Sequence, residues 1–91
     1  MTAIEISSIR TRLGLTQIQF AQLFGVHPLT VSKWERGVLD PSLHQQAMLD
    51  SFRRANKADA DIGEAVAALL VTAGVAVALY ALLKAAFDKK R

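Results

Sequence analysis

Between Thr16 and Gly37 the chain gathers side chains suited to reading a polyanion: Thr16, Gln17, His27, Thr30, Ser32, Lys33 and Arg36, with Pro28 and Leu29 set among them. A lysine on an outward helix face can donate to guanine O6 or N7, and a leucine can pack on a thymine methyl. Hydroxyl, amide and guanidinium groups beside them can hold phosphate oxygens. That is the chemistry of a duplex groove. A catalytic set does not compete with it. Ser7, Ser8 and Ser32 have no base partner at motif spacing, and no glycine-rich phosphate loop is present. The chain has no cysteine, and His27 and His44 have no neighbours spaced as metal ligands. Neither enzymatic activity nor a metal or cofactor is expected.

Such side chains are useful only if short helices aim them. The apolar residues Phe20, Ala21, Phe24, Val26, Val31 and Trp34 fall on two short helical patterns, with Gly25 at the break. Two helices at this spacing cross steeply and share a small core. Ala21 is small where they approach, while Phe20, Phe24, Val31 and Trp34 fill the space between them. Trp34 falls on the same face as Val31, so it packs inward and does not stack on bases. His27 takes the cap position before Pro28, which opens the next helix.

The flanking helices carry their own signals. Thr2 with Glu5 and Thr16 with Gln19 read as capping boxes. Ile6, Ile9 and Leu13 form an apolar stripe that Gly14 ends. Gly37 closes the helix begun at Pro28. Asp40-Pro41 opens a fourth helix with apolar positions Leu43, Ala47, Met48 and Phe52. No strand pattern emerges.

With these elements in place, the stretch from Ile6 to Ser42 resembles the Cro/phage-repressor (XRE-type) helix-turn-helix family. The residues that carry the resemblance are Arg10, Leu13, Gly14, Leu15, Thr16, Gln17, Phe20, Ala21, Gly25, Val26, Thr30, Val31, Ser32, Trp34, Glu35, Gly37 and Pro41. The resemblance implies that the helix after Gly25 enters the major groove by its N-terminal end. It implies that Gln17 contacts the DNA backbone, where helix N-terminal amides favour phosphate. It places His27, Pro28, Leu29 and Lys33 near bases, and Ser32 and Arg36 toward phosphates. It also implies an ion pair between Arg10 and Glu35 that orients the reading helix. Pro28 and Leu29 offer no side-chain hydrogen bonds, so few polar contacts plus DNA shape would set specificity.

The 91 residues carry a net charge of +3. Residues 1–57 hold seven Lys/Arg against four Asp/Glu, and residues 58–91 hold four of each, so the positive excess belongs to the N-terminal part. The opening residues lack a basic stretch followed by an apolar one, so no secretory signal is read there. A cytoplasmic protein is expected.

The second part poses a different question. After a polar hinge at Ala55–Asp61, with Asp61 and Glu64 as a helix start, Ala65 to Leu83 contains no charged residue. The spacing predicts one long helix that is apolar on every side and must be buried in protein or lipid. Residues 65–86 as a helix would reach about 33 Å, enough for a bilayer core of about 30 Å. Gly63-Ala67, Gly74-Ala78 and the small-residue stripe Ala65, Ala68, Thr72 and Ala76 would allow close helix contact, with Leu79 and Leu83 continuing the face. Two readings stand: an oligomerisation helix, or a membrane anchor holding the N-terminal domain in the cytoplasm at the inner membrane. The flanking cations, Arg53, Arg54 and Lys57 before and Lys84, Lys89, Lys90 and Arg91 after, give the anchored orientation no support.

The expected fold is all-α: a four-helix helix-turn-helix domain over residues 1–57, then one long apolar helix over residues 58–91. The expected function is sequence-specific DNA binding in transcription regulation, as a repressor, by a homo-oligomer joined through Ala65, Ala68, Thr72, Ala76, Leu79 and Leu83. The alternatives are a membrane-anchored or assembly protein in which the apolar helix dominates, and an antitoxin-like autoregulator whose apolar helix covers a protein partner.

Overall fold

The computed structural model describes residues 1–87, and these form six α-helices with no strand among them. The helices are α1 (Ala3–Leu13), α2 (Gln17–Phe24), α3 (Pro28–Glu35), α4 (Leu43–Ala58), α5 (Ile62–Thr72) and α6 (Val75–Phe87). Asp88 and the cations Lys89, Lys90 and Arg91 lie outside the described residues.

Local chemistry sets the helix ends. At α1 the Thr2 N–H donates to the Glu5 carboxylate at 2.7 Å and the Glu5 N–H donates to Thr2 Oγ1 at 3.1 Å. That backbone donor holds the Glu5 carboxyl below the usual carboxylate range. Thr16 and Gln19 make the same reciprocal pair at α2. Both helices end on a glycine in the left-handed region, Gly14 at φ 74° and Gly25 at φ 67°. The fourth helix differs from expectation. Ser42, two residues after Asp40, caps it, in a capping box with Gln45. A hydroxyl followed three residues later by a glutamine satisfies two orphan amides at once, which Asp40-Pro41 does not offer.

That change of start also changes the buried face of α4. Leu43 and Ala47, read as core positions, are exposed, and Met48 is half-buried. Leu49, Phe52 and Ala55 form the inward stripe. Ala55 therefore sits inside a helix and not in a hinge; the polar connection is only Asp59–Asp61. Asp61 and Glu64 do not make a cap. The Asp61 N–H instead donates to Asp59 Oδ1 at 3.0 Å, and α5 begins without a side-chain cap bond.

The largest correction concerns the last segment. One long apolar helix is absent: the chain folds into a hairpin of α5 and α6, broken at Ala73-Gly74. Gly74 takes φ 99°, a conformation that L side chains disfavour. The N–H groups of Ala73 and Gly74 both donate to the Leu69 carbonyl at 2.8 Å, and Thr72 Oγ1 donates back to the Ala68 carbonyl. The fold-back has a clear driving force, since an extended helix apolar all round would leave most of that surface in water. Folded back, Val66, Ala78, Leu82 and Ala86 become buried in the same core as Phe20, Leu49 and Phe52. The α4–α6 interface is the most extensive helix pairing in the molecule. No helix among the described residues is long and apolar enough to cross a membrane. The geometry that the anchor reading required, one continuous span over residues 65–86, is therefore not formed.

Gly63 explains how the hairpin docks. A Cβ built there would lie 1.7 Å from the Leu13 carbonyl oxygen and 2.6 Å from its carbon. The start of α5 therefore rests directly on the backbone at the end of α1. Gly63 is buried inside this chain, so it does not belong to an outward small-residue face.

Candidate nucleic-acid interface

α3 is held by its inner face. Val31 and Trp34 are almost wholly buried, and Trp34 stacks edge-on against Phe24 with ring centroids 5.2 Å apart. Phe24 in turn meets Phe20 and Phe52 at 5.0 and 5.1 Å. Edge-to-face rings have a preferred mutual geometry, so this four-ring cluster helps to set α3 against α2 and α4. Trp34 has no surface to offer a base.

The C-terminal end of α3 is fixed by charge. Arg10 of α1 grips Glu35 through two parallel bonds, Nε to Oε2 at 2.6 Å and Nη2 to Oε1 at 3.0 Å. A planar fork meeting a carboxylate in this way sets direction as well as distance. Arg10 Nη1 also donates to the Leu15 carbonyl at 3.0 Å, which ties the α1–α2 turn into the same node. The third partner is Gln17: its Nε2 donates to Glu35 Oε1 at 3.1 Å. The Glu35 carboxylate thus joins the end of α1, the start of α2 and the end of α3.

The outer face follows from what the inner face takes. Leu29 is 51% exposed, and Ser32, Lys33 and Arg36 follow it at helical spacing on the side away from Val31 and Trp34. Arg36 Nε donates to Ser32 Oγ at 3.2 Å, which lays the guanidinium along the helix. Leu29 and Arg36 are exposed, whereas Ser32 and Lys33 are half-buried, as are Pro28 and Thr30 at the margin of this face.

His27 has a double role. Its Nδ1 accepts the Leu29 N–H at 3.0 Å, so the imidazole is the N-cap of α3. With Nδ1 accepting, the neutral ring carries its proton on Nε2. The exposed edge of His27 is then a donor beside the first turn of α3.

The start of α2 stands beside the end of α3, because Gln17, its first residue, is bonded to Glu35. The first-turn amides of Gln17 and Ile18 precede any intrahelical partner, whereas Gln19 N–H is taken by Thr16. Thr16 itself is spent on its cap: its hydroxyl accepts the Gln19 N–H and leaves the Gln17 and Ile18 amides open. Sequence reasoning assigned Gln17 to phosphate only and missed its bond to Glu35. That bond spans 18 positions and has no local signature.

The six residues proposed for self-association divide. Ala65, Ala68, Thr72 and Ala76 are exposed on the outer side of the hairpin. Leu79 and Leu83 are half-buried and pack against the chain's own core.

No group of three or more His, Cys, Asp or Glu among the described residues could hold a metal ion. Residues 6–45 match the helix-turn-helix family. The match covers α1 from Ile6, all of α2 and α3, and the capped first turn of α4. No curated protein and no solved structure matches the chain.

Proposed function

We propose that this chain, whose residues 6–45 form a helix-turn-helix of the Cro/phage-repressor type, is a sequence-specific DNA-binding regulator that acts as a homo-oligomer and represses by covering its site. The observation that carries the reading is the division of α3. Its inner side is locked by an aromatic cluster and a charged node, and its outer side presents Leu29, Ser32, Lys33 and Arg36. A rigid helix with a polar and basic outer face is what the major groove admits.

In this reading Lys33 donates to a guanine edge and Leu29 packs on a thymine methyl. His27 Nε2 and the Thr30 hydroxyl add donors at the N-terminal end, beside Pro28. Ser32 and Arg36 reach phosphate. The first-turn amides of α2 and the second Nε2 proton of Gln17 hold the opposite backbone. Lys33→Ala is expected to lower specific affinity by about 1–3 kcal/mol and to relax preference at one base pair. Competition binding on a cognate and a scrambled duplex checks this. Equal loss on both would remove base reading from Lys33. Binding is also expected to weaken steeply with salt, with a log–log slope of about −0.9 for each phosphate neutralised. Affinity that stays flat between low and moderate ionic strength contradicts the phosphate contacts.

Self-association would use the exposed Ala65, Ala68, Thr72 and Ala76, where small side chains let two backbones approach. In a dimer the two α3 helices would stand about 34 Å apart, one turn of DNA. Sedimentation of the purified chain without detergent reads this directly. A monomer at every concentration, with and without DNA, removes the oligomer.

A further inference from the structure

We propose that the groove between α1 and α4 is a binding site for a small amphiphilic anion, an apolar body bearing one carboxylate. The groove encloses about 260 Å³. That is below the range of about 300–1,000 Å³ usual for drug-sized ligands, which points to a molecule of the size of an aryl or short alkyl acid.

Its walls are amphipathic. Ile9 lies at the base, 5% exposed, and Ile4 stands at the rim, 82% exposed. An isoleucine left that far in water beside a concavity is apolar surface available to a ligand. Ser8 and Asn56 add polar groups to the lining, and the Ser8 hydroxyl and the Asn56 side-chain NH2 are the uncharged donors there that a carboxylate can use.

The charge balance selects an anion. Four ionised side chains line the groove: Glu5, Arg12, Arg53 and Lys57. Glu5 accepts the Thr2 N–H and stays ionised, one negative charge at the margin against three positive ones, and Arg53 is paired with Asp50. Arg12 and Lys57 make no ion pair among the described residues. They come from the last turns of α1 and α4. The short Asp59–Asp61 connection and the seat of Gly63 on Leu13 bring those two helix ends to the same side of the molecule. Two unneutralised cations from different helices therefore stand over one apolar trough. DNA phosphate alone would satisfy the cations but not the trough. A ligand with both parts satisfies both.

The test is a ¹H–¹⁵N titration of the full chain with three probes: phenylacetate, its neutral counterpart 2-phenylethanol, and inorganic phosphate. Phenylacetate is expected to give saturable shifts centred on the Ser8, Arg12 and Asn56 amides. The alcohol and phosphate should each bind at least about tenfold more weakly, the equivalent of about 1.4 kcal/mol. R12Q/K57Q, at solvent-facing positions that leave the core intact, should weaken phenylacetate by a similar factor. Ile4→Ser should weaken it while leaving the response to phosphate unchanged. No saturable response to phenylacetate overturns the proposal. So does phosphate binding as well as phenylacetate, which would mark a bare cationic patch. An unchanged response in R12Q/K57Q overturns it too. Each readout concerns the groove alone and stands apart from whether α3 reads DNA.

Discussion

Gly63→Ala is expected to destabilise the chain by about 3–4 kcal/mol, at the upper end of what single substitutions do. For a domain of this size the melting temperature should fall by about 12 °C or more. The cause is a backbone contact. The added methyl would sit 1.7 Å from the Leu13 carbonyl oxygen, and the Leu13 carbon and Cα lie within 3 Å as well. A flexible side chain could swing away, but the last turn of α1 cannot, because Gly14 N–H already ties it to Arg10 and Thr11. The hairpin must lift instead. Lifting it uncovers Val66, Ala78, Leu82 and Ala86, and with them the faces of Leu49 and Phe52. Thermal unfolding followed by circular dichroism measures the effect. A melting temperature within a few degrees of the parent would mean that α5 does not rest on α1.

Glu35→Ala is expected to cost about 2–3 kcal/mol, at or just below the range of about 3–5 kcal/mol for breaking a fully buried ion pair, because Arg10 remains 17% exposed. One substitution leaves the Arg10 fork and the Gln17 amide without their common partner. Stability and aim can be separated here. Replacing both charges by apolar groups, as in Arg10→Met with Glu35→Leu, should recover most of the stability, since no buried charge is stranded. It should not recover DNA affinity, because apolar contact does not fix the angle at which α3 leaves the domain. Denaturant melts and duplex binding of the single and double variants check the pair. Full DNA affinity in the double variant would show that the charges stabilise α3 without orienting it.

The N-terminal half of the fold was legible because its signals are local. Thr2 and Glu5, Thr16 and Gln19, Gly14 and Gly25 each decide a helix end within four residues, and the structure places caps at those positions. His27 before Pro28 was readable for the same reason. The start of α4 was misplaced because two cap signals overlap, Asp40-Pro41 and Ser42-Gln45, and the second satisfies more amides. The C-terminal hairpin was misread for a tertiary reason. An apolar run without charge fits a long helix as well as it fits two, and helical periodicity gives no count of helices. What divides it is the burial available against α4, together with Gly74, whose positive φ becomes necessary only once the chain turns back. Gly63 was read as part of a small outward face because nothing local reports that α1 ends beneath it.

The candidate site was legible in its residue types and less so in its connections. Leu29, Lys33 and Arg36 on one face, and Val31 and Trp34 on the other, follow from helical spacing alone. The three-way node at Glu35 depends on where α1, α2 and α3 come together. The α1–α4 groove likewise exists only in three dimensions: Arg12 and Lys57 are 45 positions apart and share no pattern.

The most direct test of the account is selection of a random duplex library by the purified full-length chain at low ionic strength. The expected result is enrichment of a defined sequence with near two-fold symmetry, and loss of that enrichment in Lys33→Ala. A chain that retains no double-stranded fragment above background would contradict the claim that the outer face of α3 reads DNA.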